Sequence, residues 1–232
     1  MQVTASKKEI WTMGSYSLLT LAIMTGGDKE AYDKVDSSLV KVRRGIEFGM
    51  TGWIATEGEK ILSARDYDFV IGSCHYAGSY DPYFPEFWNG INLDQAVTTY
   101  LTTILDCIKI HDNFDVLGHL AYVCKSSYNP TRKTVPYRDY ADLSDEIMKI
   151  LVEKGKGMEI NTSGVDRAGD FLPSIDYLRR FRELGGEIVT IGSDAHEPSR
   201  VGQYAKEAME LAKEVFGYVC TFEKRKPIFH KL

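Results

Sequence analysis

The sequence predicts an α/β fold of parallel strands joined by helices, and two observations carry that expectation. From residue 39 onward, apolar runs of strand length alternate with longer amphipathic runs of helix length, and that order builds right-handed parallel units. A carboxylate, an amide or a histidine falls at or near the end of each of the first five strand-length runs, where parallel sheets collect their functional groups. At 232 residues the chain can bury a full core, and an α/β barrel of that size is one domain.

The elements follow in order. LVKVRRGIEF, Leu39–Phe48, reads as the first strand, and helical text surrounds Trp53–Leu62. YDFVIGSCH, Tyr67–His75, is a second strand with a buried apolar centre. Leu93–His111 is a helix with Asp94 in its first turn and apolar residues at 97, 101, 104, 105 and 108, the spacing of one buried face. FDVLGHL, Phe114–Leu120, is a third strand, and residues 138–154 form a helix stopped by Gly155. GMEINTSG, Gly157–Gly164, is the fourth strand. Pro173–Gly186 carries a serine cap, then Asp176, and ends in Gly-Gly, a strong helix stop. EIVTIGSDAHEPSR, Glu187–Arg200, supplies the fifth strand; a helix over about Gln203–Phe216 and a last strand, Tyr218–Phe222, complete the chain. The longest irregular piece, Val123–Tyr140, follows a strand end, and a loop of that length is more often functional than structural.

Charge and cysteine usage narrow the function classes. The net charge is −5, and no basic run exceeds Lys224–Lys226, so nucleic acid is not expected as the main partner. A small anionic substrate remains compatible, because a metal or an arginine can reverse the field locally. Cys74, Cys107, Cys124 and Cys220 form no C-x-x-C pair, and a reduced, cytoplasmic protein is the simplest reading. Lys7 and Lys8 precede the apolar stretch Ser17–Met24, but that stretch is short and no A-x-A site follows it. No run approaches the ~20 apolar residues of a membrane span.

The first strand ends at Glu47, the second at His75 and the third at His119; the fourth holds Glu159 and Asn161, and the fifth ends at Asp194 and His196. Each has an ordinary alternative. A lone histidine after a strand is usually a satisfied loop residue, Glu47 alone is a solvated strand end, and GSDAH alone is a turn capping the next helix. Parallel topology, however, brings all these positions to one edge, and together they point to a metal site. The His/Asp/Glu mixture suits zinc, manganese or iron, and the lack of cysteine ligands argues against structural zinc. His111, late in a helix, and His230, in the tail, are not assigned to it.

These residues carry a resemblance. GIEFG, YDFVIGSCHY, DPYFPEFW, DVLGHL, KGKGMEINTSG, ELGGEIVTIGSDAH and RKPIFHKL resemble the histidinol-phosphatase branch of the polymerase-and-histidinol-phosphatase (PHP) superfamily, from about residue 39 to the C-terminus. The resemblance implies a distorted seven-stranded (β/α) barrel, one to three divalent ions (zinc, manganese or iron), and hydrolysis of L-histidinol phosphate to L-histidinol and phosphate in histidine biosynthesis. It implies that Glu47 bridges two metals, that His75 and His119 complete one of them, and that Asp194 and His196 serve the others; Glu47, Asp194 and His196 are also the candidate catalytic residues. Arg167, Arg200, Lys125 and Asn161 are candidates for holding the phosphate, with surface solubility as the plain alternative for the two arginines.

The match has gaps. The family opens with a strand carrying Asp-x-His-x-His, and its second strand ends in Asp-His, whereas residues 1–38 resemble neither and the first histidine is His75. Ala121 stands where the family usually has Asp, and Lys125 where it usually has Arg; lysine cannot make the bidentate contact of an arginine. The expectation is therefore an incomplete barrel of about five recognisable strands plus a C-terminal strand. An atypical segment, 1–38, would precede a PHP-like domain, 39–232. An incomplete barrel leaves strand edges open, to be covered by the amphipathic-looking residues 8–24 or by a second copy in a homo-oligomer. Three readings stay open: a histidinol-phosphate phosphatase, a PHP phosphoesterase with another small substrate, and a catalytically impaired remnant that binds metal or a partner.

Overall fold

The computed structural model describes residues 22–23, 43–53 and 55–232. Six parallel strands lie side by side in chain order: β1 Ala22–Ile23, β2 Arg44–Gly49, β3 Phe69–Ser73, β4 Val116–Leu117, β5 Gly157–Asn161 and β6 Val189–Gly192. β2 to β6 form a curled half-barrel, and β1 adds two residues beside Arg44 and Gly45. The segment 1–38 and the cover expected from residues 8–24 lie, apart from Ala22 and Ile23, outside the described residues.

Register decides which side chains share the concave face. Glu47 pairs with Ile71, Ile71 with Val116, and Val116 with Gly157, and neighbours in register point the same way. Lower down, Phe69, Ile71 and Val116 pack with Phe222 and Ile188 as a small apolar cluster of their own. Higher up, the concave face turns polar at Glu47, Ser73, Glu159 and Asn161.

The convex face meets the helices. Val70, Leu117, Met158, Ile160 and Val189 pack in the main core with α2 (Leu93–Ile110), α3 (Ala141–Glu153), α5 (Ile175–Glu183) and α6 (Ala205–Val215). α1 (Ala55–Ser63) and the short α4 (Val165–Ala168) complete the set. α2 begins with a reciprocal cap: Asn92 Oδ1 accepts from Gln95 N at 2.9 Å, and Gln95 Oε1 accepts from Asn92 N at 2.9 Å. Ser174 occupies the cap of α5 but makes no side-chain cap bond there. Among the described residues no helix is long and apolar enough to cross a membrane.

The fourth strand, expected over Gly157–Gly164, ends at Asn161, and Thr162–Gly164 form a 3-10 turn; the third and the last strands differ further, each for a local reason. The strand expected over Phe114–Leu120 is cut to Val116–Leu117, because the chain turns at His119, whose φ is 24°. The single last strand is a hairpin, β7 Tyr218–Glu223 with β8 Lys226–Lys231. Its turn residues, Lys224 and Arg225, sit at φ 50° and 64° without glycine. That turn docks under the amino ends of the strands. Lys224 N donates to Asp68 Oδ1 at 2.9 Å, Arg225 N to Asp68 O at 2.9 Å, and Arg225 Nε to Asp115 Oδ2 at 2.7 Å. Phe222 stacks on Phe69 with centroids 4.7 Å apart, so the hairpin closes the lower end of the half-barrel and the polar end stays opposite.

Candidate metal centre

Three strand ends deliver three donors to one place. Glu47 comes from β2, His75 from just beyond β3, and His119 from the turn that ends β4; one ligand atom of each lies within 4.8 Å of the other two. Glu47 Oε1 is 3.0 Å from His119 Nε2 and 3.4 Å from His75 Nε2. Two atoms each about 2.1 Å from one zinc at a tetrahedral angle are about 3.4 Å apart, so the spacing and the carboxylate–imidazole chemistry fit a divalent ion. Packing holds the rings: His75 and His119 have centroids 5.1 Å apart, and Tyr122 lies 5.0 Å from His119 and 5.2 Å from His75. His119 Nδ1 is buried without a hydrogen-bond partner, leaving Nε2 as the nitrogen engaged in the cluster.

Without an ion, the carboxylate and the imidazoles stabilise one another's charged forms. Burial works against charge on Glu47, but hydrogen bonds from His119 and His75 outweigh it and hold its carboxyl well below the usual range. Burial disfavours the imidazolium of His119, while the hydrogen bond to Glu47 reverses the sign and raises its pKa. Glu159, behind them, is pushed up by burial, with the charge of His119 and the Asn161 hydrogen bond opposing.

The remaining predicted residues surround this cluster in different ways. Asp194 lies just past β6 with φ 48°, a region Asp tolerates better than most residues. Its Oδ2 is 2.5 Å from Lys125 Nζ and 3.2 Å from Ser163 Oγ. His196 is 63% exposed in its side chain, with Nδ1 3.0 Å from the Asp194 carbonyl and 3.7 Å from its carboxylate; the structure does not bring it into the three-residue cluster. Asn161 is buried with both ends of its amide engaged: Nδ2 donates to Glu159 Oε2 at 3.0 Å, and Oδ1 accepts from Ser163 N at 3.0 Å. Arg167 lies 5.8 Å over the ring of Tyr83, in the DPYFPEFW segment of residues 81–88. Arg200 donates to Asp166 Oδ2 at 2.9 Å, and Tyr204 Oη donates to Asp166 Oδ1 at 2.6 Å. His111 caps α2, with Nε2 2.9 Å from Thr51 O, and His230 lies 2.7 Å from Thr221 Oγ1; both stand outside the cluster.

Sequence reasoning passed over four neighbours: Tyr122, Ser163, Asp166 and the side-chain role of Glu159. Glu159 had a visible signal, an acid in the middle of an apolar strand. Asp166 had none, because its partners Arg200 and Tyr204 are more than thirty residues away; Ser163 stands two residues after Asn161, which accepts from it, and only its link to Asp194 spans the chain.

A parallel half-barrel with a carboxylate and two imidazoles at its carboxyl edge defines a barrel protein with a candidate divalent-metal centre. The PHP domain matches residues 21–163, and the chain belongs to that family. It is 30% identical over 195 residues to a probable histidinol-phosphatase of Clostridium acetobutylicum, covering 84% of this chain and 75% of that protein. It is also 30% identical over 190 residues to a histidinol-phosphatase of Lactococcus lactis, covering 81% and 70%. The crystal structure of histidinol phosphate phosphatase from Lactococcus lactis, complexed with zinc, L-histidinol and phosphate, superposes with a TM-score of 0.73 at 27% identity, covering 83% of this chain and 73% of that one.

Proposed function

We propose that this chain is a divalent-metal-dependent phosphomonoester hydrolase that cleaves histidinol phosphate to histidinol and phosphate. The observation that carries the proposal is the convergence of Glu47, His75 and His119 from three strand ends. The Lactococcus structure that holds zinc, L-histidinol and phosphate supports both the ion and the substrate class.

Glu47, His75 and His119 would hold the ion. A divalent ion there supplies a coordinated water acidified to a pKa of about 7 and offsets charge on phosphoryl oxygens. Zinc, manganese and iron all suit this donor set. One ion is the count these three residues support, and Asp194 and His196 are the residues to extend it towards three. Lys125 brings an ammonium to the same edge, where it can face a phosphate oxygen as a point charge. Arg167, on the short α4, and Arg200, in the 3-10 turn Pro198–Arg200, are the further candidates for holding phosphate, and the Asp166 contact limits how freely Arg200 moves.

The test is phosphate release from histidinol phosphate by the purified chain after chelation and after return of zinc or manganese. Activity should vanish and come back; release that survives complete chelation contradicts the proposal. A second reading, a metal-binding chain with impaired turnover, rests on the engagement of Asp194 by Lys125. It is distinguished by bound metal with no phosphate release.

A further inference from the structure

We infer that Glu159 is a positioning residue: its buried carboxylate fixes the backbone of His119 and the amide of Asn161, and through them the geometry in which Glu47, His75 and His119 take up a divalent ion. The inference rests on the metal reading above and gives a task to a group that reading leaves unused.

Glu159 lies in the middle of β5 and is 3% exposed. A carboxylate so placed needs hydrogen-bond donors to remain there. It has two on one oxygen: His119 N donates to Oε2 at 3.0 Å, and Asn161 Nδ2 donates to Oε2 at 3.0 Å. The first of these holds the residue whose backbone is most unusual in the centre. His119 has φ 24°, a conformation that persists in a non-glycine residue only where its surroundings over-determine it. That turn is what ends β4 and places Nε2 of the ring 3.0 Å from Glu47.

The space for Glu159 is kept by Gly192. A Cβ on Gly192 would stand 1.9 Å from Glu159 Oε1, whereas one on Gly118 would meet Ser73 Oγ at 2.5 Å and only touch Glu159 Oε2 at 3.6 Å. The β6 side of β5 is thus bare where this side chain lies. From Glu159 a polar chain continues outward. Asn161 Oδ1 accepts from Ser163 Oγ at 2.6 Å, and Ser163 Oγ is also 3.2 Å from Asp194 Oδ2. The hydroxyl has one proton, so it donates to one of these at a time. Glu159 therefore stands where the His119 side of the edge meets the Asp194 side.

The experiment measures zinc affinity of the full chain by competition with a chromogenic chelator, for wild type, Glu159→Ala, Glu159→Gln, His119→Ala and the double variant E159A/H119A. E159A is expected to weaken zinc binding by about 10–100-fold. E159Q keeps an acceptor oxygen for the His119 amide and should lose only part of that. In the H119A background E159A should add little, because its effect runs through His119. A folded E159A with wild-type affinity overturns the inference, and so does an equal loss in the H119A background. If E159A does not fold, E159Q decides: faster exchange of the His119 amide hydrogen with weaker zinc binding supports the inference, and no change in either overturns it. Wild-type protein that takes up no zinc overturns the metal reading itself, a result visible without any variant.

Discussion

Lys125 Nζ stands 2.5 Å from Asp194 Oδ2, an ion pair formed across 69 residues of sequence with both side chains largely shielded from water. It places a cation beside a carboxylate that the resemblance assigned to metal binding. Lys125→Met removes the cation from the edge where phosphate is proposed to dock. A hydrogen bond to a charged group contributes about 1.5–3 kcal/mol, so inhibition by inorganic phosphate should weaken by about 10–100-fold. Unchanged inhibition would place Lys125 outside the phosphate site.

Glycine at 192 tests the region behind the centre from a different side. The methyl of Gly192→Ala would lie 1.9 Å from Glu159 Oε1, so Glu159 must move. Zinc affinity should fall in the same direction as in E159A. A variant with wild-type zinc affinity and an undisturbed His119 amide would show that the centre tolerates the displacement.

The lower end of the half-barrel should behave independently of the upper end. Phe222 is 3% exposed and stacks on Phe69. Truncating a buried phenylalanine costs about 3–5 kcal/mol, and Phe222→Ala should lower the urea midpoint accordingly. Activity per folded molecule should be retained, since Phe222 packs among lower-strand residues and not beside Glu47, His75 or His119. Loss of activity at full folding would mean that the hairpin shapes the site.

Acid should weaken one surface link in a defined window. Hydrogen bonds from Arg180 hold the Asp145 carboxyl below its usual range, against the opposing effect of burial and with help from Tyr137. Tyr137 Oη donates to Asp145 Oδ1 at 2.5 Å, and Arg180 Nη2 to Oδ2 at 2.6 Å. Because the folded pKa is depressed, the stabilisation is complete above the unfolded value of about 3.9 and is lost as pH falls through the folded value. Asp145→Asn should therefore melt below wild type at neutral pH. The gap should close as the pH drops below about 4; a gap independent of pH would mean that charge is not its cause.

Most of the barrel was legible because its signals are local. An apolar run followed by Glu47, His75 or His119 announces both a strand and its functional end, and parallel topology supplies their meeting point. What stayed hidden depends on pairing at a distance or on unusual backbone. β8 contains Pro227, which donates no hydrogen bond and is confined to edge positions, and its turn lacks the glycine or asparagine that marks most tight hairpins. β4 read too long because the positive φ of His119 has no sequence signature. Asn161 was legible as a strand-end residue, and its partners lie within local reach: Glu159 two residues before it on the same strand face and Ser163 two residues after it, the spacing of an Asx turn.

The most direct test measures bound zinc and phosphate release together on wild type and His119→Ala. About one zinc per wild-type chain is expected, from the single three-donor cluster among the described residues, with metal-dependent release of phosphate from histidinol phosphate. Both should be lost in His119→Ala with its melting curve intact. Phosphate release that continues in metal-free wild type, or in a folded His119→Ala chain, would contradict the assignment of Glu47, His75 and His119 as the functional centre.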